Sequence, residues 1–452
     1  MRCALLSLAS LPFGCGSQAG SRALPNVLLI SIDTLRADHL GAYGYNRPTS
    51  TCLDSMAAEG FCFRQAYAPA PWTRPSHASL LTGLYPRNHG AVSFERGIRN
   101  DVLCLSEEFA QRGFETAAFV TNSNLTTPDF RRGFSTFDYA RREGREPTST
   151  TERLREYLHR RADLSRPFFI FAHYNDPHAD YCARSEVEEK FARPYFGQVT
   201  GQINELIDHT LGKRSMNEED ARRLVDLYDA AICQVDEEVG RLMNDLRNSG
   251  LVENTIVVLT SDHGEEFLDH GQLQHSLQLY EETVRVPLIF LLPGSPGGLE
   301  LDSPVSLVDV VPTLMDLMGF ELSRELDGRS LKPLLMAESN VDAALHDRAI
   351  FFEANIQHPN LETKLLQPGF KSAVRRDSYK LHYDAVSGEY QLYDLAKDPH
   401  EREDMVAIKT EVVRSLRQAL SVFLLDGESG MVIEVDDEQR ADLRKLGYGG
   451  DE

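Results

Sequence analysis

The chain has 452 residues, enough for two to three domains or for one large α/β unit with an appendage. With 42% apolar and 26% charged residues it can bury a large core, and disorder on the scale of the whole chain is excluded. Its 47 Lys and Arg face 69 Asp and Glu, a formal net charge of −22, which excludes the basic footprint of a nucleic-acid binder and means that an anionic substrate needs a locally positive site such as a metal.

Residues 1–24 read as an export segment. Arg2 precedes a short apolar stretch, Cys3 to Phe13, and no acid appears before Asp33. The stretch is too short to span a bilayer. It runs into Phe13-Gly14-Cys15-Gly16-Ser17, which resembles a bacterial lipoprotein processing site, with Cys15 as the lipidated residue and hence a membrane tether. A periplasmic or cell-envelope location is expected, and plain secretion is the second choice. Cys52, Cys62, Cys104, Cys182 and Cys233 are scattered without a C-x-x-C pair and read as buried small hydrophobes.

Five short apolar runs, Val27–Ile32, Thr116–Val120, Phe168–Ala172, Thr255–Thr260 and Pro287–Leu292, predict strands buried on both faces, hence a mixed, mostly parallel α/β sheet between helices. Glu218–Asn248 carries Leu224, Leu227, Tyr228, Ala231, Val235, Val239, Leu242 and Leu246 at three- and four-residue spacings and stops at Gly250, which predicts a long helix. Asp309-Val-Val-Pro312 reads as another helix start and Gly319 as its stop. From about residue 340 the pattern changes. Lys371–Arg376, Tyr379–Tyr383 and Tyr390–Leu395 predict short antiparallel strands, with a helix around Thr410–Leu425. The expected domains are therefore a catalytic unit over 25–340, a small C-terminal α+β subdomain over 341–426, and an acidic tail over 427–452.

Polar residues follow the predicted strands at one edge. Asp33 follows the first, Thr121-Asn122-Ser123-Asn124 the second, His173-Tyr-Asn-Asp176-Pro-His178 the third, and Ser261-Asp262-His263-Gly264 the fourth. Open α/β sheets bind ligands outside the carboxyl ends of their strands. Asp33, Asp262 and His263 offer two hard carboxylates and an imidazole for one divalent metal ion (Ca, Mg, Mn or Zn); singly, each has a duller role as a helix cap or turn residue. Pro75 suits the first turn of a helix running Ser76–Thr82, which places Thr73 at or just before its N-terminus, where an anion is favoured. Thr73 beside a metal is either a nucleophile and metal contact or a simple N-cap.

Two long stretches carry a resemblance. They are Asn26-Val-Leu-Leu-Ile-Ser-Ile-Asp33-Thr-Leu-Arg-Ala-Asp-His-Leu-Gly and Pro75-Ser-His-Ala-Ser-Leu-Leu-Thr-Gly-Leu-Tyr-Pro-Arg-Asn-His-Gly90. With Asn175-Asp-Pro-His178, Ser261-Asp-His-Gly-Glu-Glu266, Leu279-Tyr-Glu-Glu-Thr-Val-Arg-Val-Pro287, Val308-Asp-Val-Val-Pro-Thr-Leu314 and Tyr390-Gln-Leu-Tyr-Asp-Leu-Ala-Lys-Asp-Pro399, they resemble the sulfatase family of the alkaline phosphatase superfamily over about residues 26–405. The resemblance implies metal on Asp33, Asp262 and His263, with Thr34 where many members have a second Asp. It also implies departures. Thr73 stands where true sulfatases carry the Cys that becomes formylglycine, and His77 stands at the Arg of Cys-x-Pro-x-Arg. Asn122 and Asn124 replace the Lys-x-His that grips sulfate, and His275 replaces a later active-site Lys. His178 is retained. The Asp, Thr, Asp, His set is similar to superfamily branches that use Thr as a metal-bound nucleophile in phosphoryl transfer. A second metal would draw on Asp176, His178, His270 and His275; one metal is the default.

The expectation is thus an exported metal-dependent hydrolase of a sulfate or phosphate ester in a small molecule or glycan, with a phosphomonoester or phosphodiester favoured. Thr73 attacks, His178 or His275 protonates the leaving oxygen, and His77 and Asn122 hold nonbridging oxygens. The rival is a catalytically silent relative that binds sulfated or phosphorylated glycans at the cell surface.

Overall fold

In the computed structural model, residues 24–140, 147–161, 163–336, 345, 347–355, 370–425 and 431–432 are described. Cys15 and the rest of the export segment before Leu24, and the acidic tail apart from 431–432, lie outside them. β1 (Asn26–Ile32) is buried at every residue because it serves two cores: Val27 and Leu29 join one, and Leu28, Ile30 and Ile32 the other. Such two-sided burial is why its sequence is a continuous apolar run rather than an alternating one. The same holds for β5 (Phe168–Tyr174) and β6 (Thr255–Thr260), and for β3 (Glu115–Val120) apart from the half-buried Glu115.

With β2 (Phe61–Tyr67), β4 (Thr136–Tyr139), β7 (Arg285–Leu291), β8 (Leu299–Leu301) and β9 (Val305–Ser306), these strands form a nine-stranded sheet. Its order is β8-β2-β7-β6-β1-β5-β3-β4, and β9 also pairs with β2. Only β7 runs against the rest. The carboxyl ends of β1, β2, β3, β5 and β6 therefore open on one edge, where β7 begins.

α1 (Thr51–Glu59), α4 (Pro147–Arg160) and α5 (Glu218–Asn248) cover one face through residues such as Leu53, Leu154, Leu227 and Val239. α2 (Thr73–Thr82), α3 (Leu105–Gln111) and α6 (Val310–Leu317) cover the other through Leu80, Phe109 and Leu314. The Asn217 side chain accepts from the Glu219 and Asp220 backbone N–H groups and so caps α5, which begins and ends where its periodicity places it. No helix among the described residues is long and apolar enough to cross a membrane.

A second sheet follows: β10 (Ile350–Asn355), β11 (Phe370–Arg376), β12 (Tyr379–Asp384) and β13 (Tyr390–Asp394), an antiparallel meander with α7 (Thr410–Leu425) packed on one side. Its other side meets the main sheet through Phe352, Ala354 and Ala373 against Tyr67, Leu279 and Val284. The Glu353 N–H donates to the Pro69 carbonyl at 2.9 Å, so this sheet holds the segment leading from β2 to Thr73.

Candidate active site

β1 pairs in parallel with both β5 and β6, with Ser31 opposite His173 and Thr260. This register puts Asp33 beside the Asp262–His263 pair at the strand ends. All three are fully buried. His263 Nε2 lies 3.2 Å from Asp262 Oδ2 and 3.7 Å from Asp33 Oδ1, and one ligand atom from each residue fits within a 4.8 Å span. Asp33 Oδ1 and Asp262 Oδ2 are buried without a hydrogen-bond partner, an expensive state for a carboxylate oxygen unless a cation completes it. His263 Nδ1 donates to the Gly264 carbonyl at 2.9 Å, which fixes the tautomer and aims Nε2 at the carboxylates. These residues fit one divalent cation.

Electrostatics agree. Burial and Asp262 push the Asp33 carboxyl up, but His178 and His173 outweigh them and hold it below its ordinary value. Burial also raises Asp262, and His263 and His77 override it to hold the group well down. Burial pulls His263 down, yet Asp262 and Asp33 lift it to about 9. Thr34, between them, has φ 57°, a left-handed conformation costing a β-branched residue about 1–2 kcal/mol. Its N–H reaches Asp262 Oδ1 at 3.3 Å, and its hydroxyl is buried without a partner.

Thr73 is the first residue of α2, one turn longer at its start than the Ser76–Thr82 expected, and is fully buried. Its Oγ1 stands 3.4 Å from His263 Nε2. The Ser76 hydroxyl donates to the Asp262 carbonyl at 2.5 Å, which ties the helix of Thr73 to the loop carrying Asp262 and His263. A hydroxyl, a helix N-terminus and a dication cradle thus converge on one point.

Two expected oxyanion donors have other work. His77 Nδ1 is 2.8 Å from the Thr73 carbonyl and 3.2 Å from Asp262 Oδ2, while Nε2 is 2.9 Å from Ser31 Oγ. With both nitrogens engaged, His77 braces Thr73 and Asp262 rather than reaching a substrate. Its position one turn after Thr73 turns it back onto its own helix. Asn122 Nδ2 donates to Asp33 Oδ2 at 2.8 Å and Oδ1 accepts from the Asn124 N–H at 3.0 Å, so Asn122 orients Asp33.

His178 and His275 do meet, with ring centroids 5.1 Å apart, and His275 lies 4.4 Å from the His263 ring. His178 Nδ1 donates to the Ala179 carbonyl at 2.8 Å. His275 Nδ1 bonds Glu265 Oε1 at 3.0 Å, which leaves Nε2 on the far side of the ring. The four residues set aside for a second metal are not gathered among the described residues. His270 sits instead with Glu266 and Glu282, its nitrogens engaged by Glu282 Oε1 at 2.5 Å and the Glu401 carbonyl at 3.1 Å. Sequence reasoning noted His173 after the third strand and Glu265 in the 261–266 stretch but gave neither a role; His173 Nε2 is 3.3 Å from Asp33 Oδ2. His173 follows the expected run and lies inside β5, which extends to Tyr174; only its alignment opposite Ser31 exposes its role.

A profile of the family described as "Sulfatase" matches residues 25–320, and one described as "N-sulphoglucosamine sulphohydrolase, C-terminal" matches residues 269–424. The chain belongs to the sulfatase family. It is an ester hydrolase of that class. A Clostridium perfringens arylsulfatase is 24% identical over 84% of this chain and 90% of that protein. A Bacteroides thetaiotaomicron Delta 4,5-hexuronate-2-O-sulfatase is 26% identical over 86% of each. The solved phosphonate monoester hydrolase of Agrobacterium radiobacter shares the fold, with a TM-score of 0.71 at 21% identity over 89% of this chain and 95% of that one. The sulfatase-family fold thus extends over nearly the whole chain, C-terminal sheet included.

Proposed function

We propose that this sulfatase-family hydrolase cleaves a phosphorus or sulfur ester through Thr73. The observation that carries the reading is the Thr73 hydroxyl, 3.4 Å from His263 Nε2 at the start of α2, beside the buried Asp33 Oδ1, which accepts no hydrogen bond, and the buried Asp262 Oδ2, which meets only imidazoles at 3.2 Å. Asp33, Asp262 and His263 would hold one divalent cation, Ca, Mg, Mn or Zn, which when bound lowers the pKa of a neighbouring hydroxyl and neutralises developing charge. Thr73, deprotonated to water, attacks the phosphorus or sulfur. The bond to the leaving oxygen breaks, and that oxygen takes a proton from His178 or His275. Water then opens the Thr73 ester, giving its proton back to the same imidazole.

The named relatives are sulfatases, which supports a sulfate ester; the nucleophile supports phosphorus. Sulfothreonine lacks the geminal hydroxyl with which formylglycine expels sulfate, whereas phosphothreonine opens by attack at phosphorus. The substrate is a sulfated or phosphorylated small molecule or glycan, met in the cell envelope through the Cys15 tether. A silent glycan binder is the second reading, and the paired buried carboxylates Asp33 and Asp262, with Asp33 Oδ1 accepting no hydrogen bond, speak against it.

The test is turnover of matched aryl phosphorus and aryl sulfate esters by metal-reconstituted protein, with Thr73→Ala as control. Phosphorus-ester turnover abolished by the substitution is expected. Sulfate turnover that survives in Thr73→Ala overturns the mechanism. Protein that purifies with no metal, and gains no thermal stability from Ca²⁺, Mn²⁺ or Zn²⁺, moves the reading to the binder.

A further inference from the structure

Four arginines are buried among the described residues, and in a chain with 69 Asp and Glu three of them meet a carboxylate. Arg36 pairs with Asp38 and Asp269, Arg74 with Asp129, and Arg161 with Glu115. The fourth, Arg375 in β11, is 4% exposed and enters no ion pair among the described residues. Its cross-strand neighbour Lys380 on β12 is buried too, but is matched by Glu281 at 3.0 Å and Glu401 at 3.3 Å, and neither carboxylate reaches Arg375.

Arg375 lies in the seam between the two sheets. Its guanidinium carbon stands 5.2 Å from the centre of the Tyr67 ring, and Nη2 donates to Gln65 Oε1. Nε and Nη1 are buried without a hydrogen-bond partner. A guanidinium carries its five N–H groups largely on two forked edges, Nε with Nη2 and Nη1 with Nη2. Whichever Nη2 hydrogen Gln65 takes, one fork keeps both of its hydrogens. Buried donors left unpaired are unfavourable, and more so on a full charge. Positive charge in the seam does not end there. Arg285, opposite Tyr67 on β7, gives Nε and Nη2 to the Arg64 carbonyl at 3.3 and 2.9 Å and enters no ion pair among the described residues. Both guanidiniums bear electrostatically on the Tyr67 hydroxyl.

We infer that the seam binds a small tetrahedral oxyanion, inorganic sulfate or phosphate, on the open fork of Arg375. Either ion offers the negative charge that the guanidinium lacks and two oxygens for its two hydrogens. A residue only 4% exposed admits a small free ion and not an anionic group fixed to a glycan or a protein. Gln65 marks the rim: it is half-buried, with Oε1 on Arg375 and Nε2 on the Asp302 carbonyl at 2.9 Å. The site is independent of Thr73 and of the ester cleaved there. It lies where β2, β7 and β11 meet, so an ion in it ties the C-terminal sheet to the strand that leads to Thr73.

The experiment is equilibrium dialysis of labelled sulfate and, separately, labelled phosphate against metal-loaded full-length protein. One bound equivalent is expected in the wild type. Asp33→Asn, which disables the metal cradle, is expected to keep it, and Arg375→Met to weaken it by about 100-fold. Arg375→Lys keeps the charge but loses the fork, and is expected to bind about tenfold more weakly than wild type. No bound equivalent in the wild type, one that Arg375→Met keeps at wild-type affinity, or one that disappears in Asp33→Asn overturns the site. Where Arg375→Met does not fold, Arg375→Lys decides: weaker binding supports the site and wild-type affinity overturns it. Binding of one ion without the other supports the site and names its ligand.

Discussion

At the scale of single residues, the site separates groups that meet the reaction from groups that hold them. Thr73→Ala removes the proposed nucleophile and leaves Asp33, Asp262 and His263 to bind metal, so its expected cost is ~10³-fold or more in kcat with metal still bound; Thr73→Ser keeps a hydroxyl and retains measurable turnover. Steady-state rates beside calorimetric metal titrations check both. His263 supplies a second prediction. In the metal-free protein its pKa stands at about 9, because Asp262 and Asp33 outweigh burial. Nδ1 keeps its proton on Gly264, so a cation at Nε2 displaces the other one. Each cation bound at pH 7 therefore releases about one proton, and apparent affinity rises about tenfold per pH unit toward 9. Calorimetry in buffers of different ionisation enthalpy reads the released proton; metal binding that is insensitive to pH between 6 and 8 contradicts the assignment. Asp33, Thr73, Asp262 and His263 were legible because a chemistry-bearing residue directly follows an apolar run or opens a helix. The bracing roles of His77, Asn122 and His173 were not, since each depends on a partner 185, 89 or 140 positions away in the chain, Asp262 for the first and Asp33 for the others.

Among the elements, β1, β3, β5, β6 and β7 begin and end within two residues of the runs that announced them, and α5 lies where its periodicity and Asn217 cap place it. Those strands are buried on both faces, and burial writes itself into sequence as unbroken apolar character. β2 escaped notice because Arg64 and Gln65 interrupt it: Gln65 Nε2 bonds the Asp302 carbonyl at 2.9 Å, a use of polar residues that only the neighbouring chain reveals. β4 reads as a mixed polar stretch because it is the half-buried edge strand. The start of α2 is set by tertiary contact as well. Arg74, 1% exposed, reaches past its own helix to Asp129 and to the 124–127 turn that follows β3. This buried pair clamps the helix that begins at Thr73 to the loop that carries Asn122. Arg74→Met strands the Asp129 carboxylate and is expected to lower stability by about 3–5 kcal/mol, while Arg74→Met with Asp129→Leu recovers much of that loss. Urea unfolding of the two variants checks the order, and a double variant no more stable than the single one contradicts it.

For the molecule as a whole, the C-terminal sheet is a structural partner of the catalytic segment rather than an independent appendage. Glu401 comes from the turn after β13, is 1% exposed, and has φ 51°. Its carboxylate meets Lys380 Nζ at 3.3 Å and His382 Nε2 at 2.7 Å, its carbonyl faces His270, and it accepts from the Glu281 N–H at 2.7 Å. Lys380 also pairs with Glu281 at 3.0 Å, and Tyr280 stacks on His270 with centroids 3.6 Å apart. Segment 270–282, which carries His275, is thus pinned from the far sheet. None of this was legible in the sequence, where Lys380, Glu281 and Glu401 read as ordinary surface charges up to 120 residues apart. The arrangement has a signature in pH. Burial pushes the Glu401 carboxyl up, but Lys380 and His382 overcome it and hold the pKa at about 2 against an ordinary 4.5. A depressed carboxylate stabilises the fold fully above the unfolded value and loses that contribution as pH falls through 4.5 toward 2, here about 3 kcal/mol in all. Glu401→Gln is therefore expected to lower stability at pH 7 by roughly that amount and to flatten the loss between pH 4.5 and 2. Thermal unfolding of both proteins across that range decides it: parallel acid limbs in wild type and variant would place the acid sensitivity elsewhere, while a flattened limb in Glu401→Gln alone assigns it to the buried cluster of Glu401 with Lys380 and His382.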